Sequence, residues 1–431
     1  MGVYVPIPGV NTKAVAASIA QASQAEGDAG LGARMLSLVD MFAGGALNRC
    51  TVFALGVMPY ISASIIFQLL TTVIKPLEEL SKEGEAGRKK ITQYTRYATV
   101  LLCMVQGFFA AKWIDVSLGF VDNPDFSFYL GAILSVTAGT IFLMWIGEQI
   151  SEYGIGNGIS LIIMVNIIAR MPTAISDLAK SKFELQLWAS DPGKHGLLMG
   201  AVLVAMYLAV VVGVVIIQQA QRRITVQQAK HTRGRRVYGG QRHYMPLRLN
   251  QAGVIPIIFA QSLLYFPGII VNALGRATGQ GTFQNIMLRM EAQLVPGSFL
   301  YMMIYIAMIF FFCFFWTAIV FNPIKMADDM KQYGHFIPGI RPGNRTADYL
   351  EKLMTRITLA GATFLVAIAI LPQIVGRGLD LTGPAASLYG GTGLLIVVGV
   401  ALDLVQKIES HLLMRHYGGF LKGRRIRGSR R

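Results

Sequence analysis

Long apolar stretches alternate with short polar ones along this chain. Stretches of about 20 residues, enough for a helix to cross a hydrocarbon core of ~30 Å, recur nine times. They fall at about 52–73, 98–118, 127–149, 157–178, 197–217, 252–273, 298–321, 357–375 and 386–406. Pro59, Pro172, Pro256 and Pro267 lie inside or near the ends of these stretches, where neighbouring helices can satisfy the carbonyls that proline frees. Composition supports the pattern. Of 431 residues, 53% are hydrophobic and 14% charged, whereas a soluble domain carries about 25% charge. With a mean hydropathy of +0.50, a soluble globular enzyme and a disordered chain are both excluded. The chain reads as an all-α polytopic membrane protein.

Charge changes the picture by its placement. The chain has 39 Lys+Arg against 23 Asp+Glu, a net charge of +16. The loop after the first stretch, the loops at 218–251 and 322–356, and the tail from 407 hold 6, 8, 6 and 8 basic residues, together 28 of the 39. These are alternate loops, so all four face one side, and by the positive-inside rule that side is the cytoplasm. Nine spans with a cytoplasmic C-terminus put the N-terminus outside. Residues 1–10 lack a basic n-region and hold two prolines, which is no signal peptide. A further helix is therefore expected ahead of the chain as given.

Several motifs carry candidate chemistry. Before the first span a short, half-apolar helix ends at Gly44 and Gly45. Fragments too short to cross are tolerated at membrane depth where they line a cavity or are buried in protein, the alternative being an interfacial re-entrant helix of structural role. Val57 and Ile61 stand four apart on one helix face, beside Ser62 and Ser64. GIGNGIS at 154–160 is a tight reversal with the same spacing in Ile159 and Ile163, for which a buried apolar pair is the plainer meaning. No G-x-x-x-x-G-K-[ST] occurs, so nucleotide hydrolysis by that route is excluded. The 218–251 loop has eight basic residues and no acid. That favours lipid headgroups, RNA or an acidic protein surface, against orientation and lipid contact alone. FIPGIRPG at 336–343 sets Arg341 on a stiffened loop tip, which lowers the ordering cost of docking; a solvated arginine is the bland alternative. Glu148 and Asp403 lie near cytoplasmic span ends, within reach of water or a partner, while Asn166 and Gln106 read as interhelical hydrogen bonders. The six histidines form no HExxH, and no deep chain of Asp, Glu or His suggests a proton relay. Cys50, Cys103 and Cys313 form neither CxxC nor metal spacing, so no disulfide framework or zinc site is expected.

The segments MFAGGALNR, FALGVMPYISASII, GEAGRKKITQYTRY, GTIFLMWIGEQISEYGIGNGISL, GRRVY, NQAGVIPIIFA, FNPIKMADDMK, PGIRPGNRT and GTGLLIVVGVALD resemble, in order, the bacterial SecY family, the central subunit of the protein-conducting channel. The resemblance runs from about Tyr4 to Lys407 and includes loops as well as apolar runs. It implies a clamshell of two helical halves around an hourglass pore, with nine of the family's ten spans visible. Residues 1–178 would form the N-terminal half, 179–251 a linking span and basic loop, 252–406 the rest of the C-terminal half, and 407–431 a basic cytoplasmic tail. The pore ring matches Val57, Ile61, Ile159, Ile163, Ile258 and Ile396. The plug matches about 35–48, with Met35, Phe42, Gly44, Gly45 and Asn48. A lateral gate between the 52–73 and 252–273 spans would lie near Ser62, Gln68, Pro256 and Phe266. Arg235, Arg236 and Arg341 match loops that dock the ribosome and the SecA motor.

The resemblance further implies SecE and SecG subunits, signal peptides, nascent membrane proteins and anionic lipids as partners. Ribosomal RNA contact through the basic loops is implied, and direct DNA binding is not. It implies no cofactor, metal or catalysis, and a place in the bacterial cytoplasmic membrane. The family begins with a first transmembrane helix, whereas GVYVPIPGV stands where that helix should be ending. A narrow apolar ring resists wetting and so blocks ions, and branched side chains can part around polymers of varying width. A secondary transporter would instead need convergent polar groups at the midplane, and an insertion scaffold would never open.

Overall fold

The computed structural model describes residues 2–11, 15, 43–47, 49–115, 120–121, 125–178, 196–229, 231–233, 236–238, 240, 242–251, 253–261, 263–264, 293, 298–378 and 391–422. Each of the nine expected spans carries helix, but the boundaries move. Helix α1 (Met58–Val73) starts later than the expected 52 because residues 52–57 form turns. Pro59 sits in its first turn, where its missing N–H is an orphan anyway. After Ile74, α2 (Lys75–Lys82) turns away from α1 by 99°. Helix α3 (Glu85–Trp113) follows, so the basic stretch expected as a loop is helical. Next come α4 (Phe126–Tyr153), α5 (Gly158–Leu178) and α6 (Gly196–Gln219). Helical residues 255–261 precede α7 (Phe299–Val320), α8 (Pro323–Gln332), α9 (Asn344–Gly378) and α10 (Gly391–Lys422). Among the described residues, three stretches are long and apolar enough to cross a membrane: α4, Phe299–Gln332 and Asn344–Leu371. The bent pair α1–α2 makes a fourth if it is one broken span.

The chain divides into two packed units. The first comprises Met1–Gly27, Leu38–Pro172 and Val397–Arg431; the second comprises Asp28–Ser37 and Thr173–Ile396. In the first unit α1, α3 and α4 pack against one another. At one end lies a cluster of Ile7, Cys50, Leu55, Ala111, Ile114, Phe120, Phe128 and Val136. The N-terminal segment is tied into it: Ile7 N donates to Cys50 O at 2.9 Å, Val52 N to Val5 O at 3.0 Å, and Asn11 N to Phe120 O at 2.9 Å.

In the second unit the described part of the 218–251 loop is mainly β-structure. Strand β1 (Gln221–Gln228) follows α6 directly, and β2 (His231–Arg233) pairs with β3 (Arg236–Tyr238) in a separate hairpin. Strand β4 (Arg242–Arg248) pairs antiparallel with β1, Ile224 opposite Met245. Strand β5 (His335–Phe336), from the 322–356 loop, pairs along the other side of β1 in the order β4-β1-β5. Pro246 is tolerated because β4 is an edge strand, where a missing donor breaks no ladder on the open side. This small sheet adds to a fold that is otherwise helical among the described residues.

Candidate functional site

The first unit carries four of the expected ring positions. Val57 caps α1, and Ile61 N donates to its carbonyl at 3.1 Å. Val57 is 2% exposed, Ile61 6% and Ile163 2%, while Ile159 is half-buried. Ile159 stands one residue into α5, and its position is set by the reversal that precedes it. Ser151 Oγ donates to Gly147 O at 2.9 Å and accepts from Gly158 N at 2.8 Å. Asn157 Oδ1 caps the new helix by accepting from Ile159 N at 3.1 Å, the ordinary role of Asn before a first helical turn. No side chain fits between the helices. A β-carbon on Gly158 would lie 2.0 Å from Gly147 O, and one on Gly147 would lie 2.4 Å from Ile159 Cδ1. The GIGNG run is thus a clasp that seats Ile159 over Gly147.

Of the expected plug residues, Met35, Phe42 and Asn48 lie outside the described residues. Residues 43–47 are turns, with φ +68° at Gly44 and +87° at Gly45, and the helix expected ahead of them lies outside the described residues. A β-carbon on Gly44 would lie 3.2 Å from Asn166 Oδ1, so Asn166 of α5 faces this segment. Thr51 holds its far end through two bonds to Ala46 O, from N at 3.1 Å and from Oγ1 at 3.0 Å.

The gate residues are placed singly. Ser62 is buried, and its hydroxyl donates to Met58 O at 3.1 Å. The Gln68 Oε1 atom is buried and has no hydrogen-bond partner among the described residues. In the second unit Pro256 and Ile258 are buried in the helical stretch 255–261, and the neighbouring Phe259 packs edge-on against Phe312 and Trp316 of α7. Ile396 is fully buried. Phe266 lies outside the described residues.

The two basic loops of the second unit form one folded body. Ile224 and Leu247 from the sheet, Phe321 ahead of α8, Ile337 after β5, and Leu350, Leu353, Met354 and Ile357 of α9 share a hydrophobic cluster. Asn322 caps α8 by accepting from Lys325 N at 3.1 Å. Arg341 is exposed on the tip that follows β5. Its carbonyl accepts from the buried Thr346 Oγ1 at 2.9 Å, and Thr346 N donates to Gly343 O at 2.9 Å. The tip is therefore fixed by the first turn of α9 while its guanidinium is left in water. Arg222, Arg223, Arg242, Lys325, Lys331 and Arg345 are exposed on the same body. Arg236 begins β3, opposite Arg233 in the register, and Arg235 lies outside the described residues.

Sequence reasoning missed this shared core, Thr346, and one ion pair. Glu148 of α4, expected to reach water or a partner, is held by Arg96 of α3 through two contacts: Nε–Oε1 at 2.9 Å and Nη2–Oε2 at 2.8 Å. Asp403 pairs with Lys407 one turn along α10 at 2.8 Å. On α2 the Lys82 ammonium, 2.6 Å from Glu78, holds the Glu78 carboxyl below its usual range and is itself raised. Cys50, Cys103 and Cys313 are buried and form no disulfide with one another. Among the described residues no group of His, Cys, Asp and Glu could hold a metal ion.

Apolar crossing helices, a buried series of branched residues and a basic folded body describe a membrane channel more closely than an enzyme. The comparisons agree. The SecY family model matches residues 51–405. The protein translocase subunit SecY of Thermotoga maritima is 41% identical over 438 residues, spanning 100% of this chain and 93% of the relative. That of Escherichia coli K12 is 42% identical over 431 residues, spanning 99% and 92%. A solved protein-conducting channel superposes with a TM-score of 0.58 at 19% identity, covering 86% of this chain and 83% of its own. Sec61 in the canine ribosome–channel complex from the endoplasmic reticulum gives 0.54 at 18%, covering 84% and 82%; both likenesses show the fold. This chain belongs to the SecY family. It is a membrane-embedded, protein-conducting translocation channel subunit and not an enzyme, which sets aside the transporter alternative.

Proposed function

We propose that this chain forms the pore of a translocase in the bacterial cytoplasmic membrane, with Val57, Ile61, Ile159, Ile163, Ile258 and Ile396 as its apolar constriction. The observation that carries the reading is chemical. All six are branched and apolar, five are buried, and all fall inside the family match. A ring of this kind holds out water, and hence ions, until a chain parts it. Residues 35–48 act as the plug. Ser62, Gln68, Pro256 and Phe266 line the lateral gate, through which signal sequences and membrane segments pass into lipid by their own transfer energy. Ser62 and Gln68 make this seam less apolar than lipid tails, which supports its opening when a hydrophobic segment fills it.

The basic body carrying Arg236 and Arg341, together with Arg235, faces the cytoplasm and docks the SecA motor or the ribosome, which supply the driving force. SecE and SecG complete the complex, anionic lipids meet the remaining basic residues, and the C-terminus is cytoplasmic. The test is substitution of Ile61 or Ile258 by Asn in the assembled complex, reconstituted in vesicles. A polar ring residue should raise ion leak and relax discrimination against defective signal sequences. Wild-type conductance in both variants would sink the ring assignment.

A further inference from the structure

We propose that the Arg96–Glu148 ion pair is a positioning element that holds α1 and α5, the two helices of the first unit that carry ring residues, in their closed arrangement. The inference rests on the constriction reading above. The pair joins neither helix directly; it ties α3 to α4, and both of these pack against α1. Its two parallel contacts, at 2.9 and 2.8 Å, fix direction as well as distance, which a single-point contact does not.

Two paths lead from this pair to the ring. Glu148 directly follows Gly147, the residue on which Ile159 Cδ1 rests and whose carbonyl takes the Ser151 hydroxyl of the clasp. A shift of the Glu148 backbone therefore moves the seat of Ile159. On the other side, Tyr60 directly precedes Ile61 and lies within electrostatic reach of both Glu148 and Arg96. Glu152, one turn further along α4, adds its field to Arg96.

The burial of the partners differs, and that makes the proposal specific. The Glu148 side chain is 17% exposed and that of Arg96 49%. Removing Arg96 strands a largely buried carboxylate. Removing Glu148 leaves an arginine that can still extend to water. Arg96→Gln should thus perturb the ring more than Glu148→Gln does. Arg96→Lys keeps the charge but loses the two-point geometry, so it should fall between wild type and Arg96→Gln.

The experiment uses the assembled complex in vesicles, reading chloride leak and translocation of a substrate with a defective signal sequence, with Ile61→Asn as the reference. Arg96→Gln should raise both readouts several-fold, Glu148→Gln less, and the double exchange Arg96→Glu/Glu148→Arg should return both toward wild type. If Ile61→Asn raises leak while both neutralised variants stay at wild type, the ring stands and the positioning role is overturned. A lower melting temperature without a change in leak or discrimination overturns it equally, since the pair is then only a staple. An inert Ile61→Asn overturns the ring reading and this proposal together. Where a neutralised variant fails to assemble, Arg96→Lys decides: wild-type leak and discrimination in that variant also overturn it.

Discussion

Leu350→Ala is the sharpest test of whether the two basic loops fold as one body. Leu350 is fully buried in the cluster that joins β1, β4, Phe321, Ile337 and α9. Removing three buried carbons forfeits ~0.8 kcal/mol for each, hence ~2.4 kcal/mol in transfer alone. The cavity left behind brings buried Leu→Ala substitutions to about 3–5 kcal/mol. Taking ~3 kcal/mol, the population of opened body should rise by about 100-fold. Trypsin acting on vesicles that expose this face reports it, because Arg223 lies within β1 and its backbone must leave the sheet to be cut. Cleavage tracks the open population when reclosing is faster than cutting. Leu359→Ala, on the same helix but 53% exposed, should change the rate by no more than about twofold. Equal cleavage of the two variants would refute the shared core and leave each loop to hold itself.

The other expectations follow from single contacts. Arg341→Glu should weaken motor-driven translocation while leaving assembly intact; unaltered motor coupling after charge reversal would remove the docking role. Thr346→Val deletes the 2.9 Å bond to the Arg341 carbonyl and costs about 0.5–1.5 kcal/mol. Translocation should fall in the same direction as for Arg341→Glu but by less, and an equal or larger loss would contradict the view that Thr346 only fixes the tip. Gly158→Ala sets a β-carbon 2.0 Å from the Gly147 carbonyl, an overpacking strain of about 1–3 kcal/mol. A melting temperature unchanged in the detergent-solubilised complex would show that the clasp yields.

Much of this fold is legible in the apolar pattern, and the reasons for the exceptions are physical. A span announces itself by a local average, which is why helices occur in all nine expected stretches. Where the average is mixed, the reading stops short. Helix α9 begins at Asn344 rather than near 357; Leu350, Leu353, Met354 and Ile357 have the i, i+3, i+4, i+7 spacing of a helix with one apolar face, which a span criterion passes over. Strand β1 was hidden differently. QRRITVQQ offers only Ile224 and Val226 as alternating buried positions, and its edge partner contains a proline. Arg96 and Glu148 meet across 52 residues, and no local pattern carries that distance. The proposed ring positions rest on the family resemblance; the i, i+4 spacing of Val57 with Ile61 and of Ile159 with Ile163 is their intrinsic sign, and Ile258 and Ile396 carry none.

The body built from two loops also sets an order of events during synthesis. Its sheet strands lie near residues 221–248, whereas Leu350 to Ile357 are made only after α7 has followed them out. Until α9 emerges, Ile224 and Leu247 lack Leu350, Leu353, Met354 and Ile357, half of the buried cluster that covers them, and a two-stranded pairing without such cover is marginally stable at best. A chain halted before α9 therefore has helices to insert but an unfinished basic body. Completion of this body reports that the second half of the polypeptide has arrived, which under the proposed docking role keeps an unfinished subunit out of service.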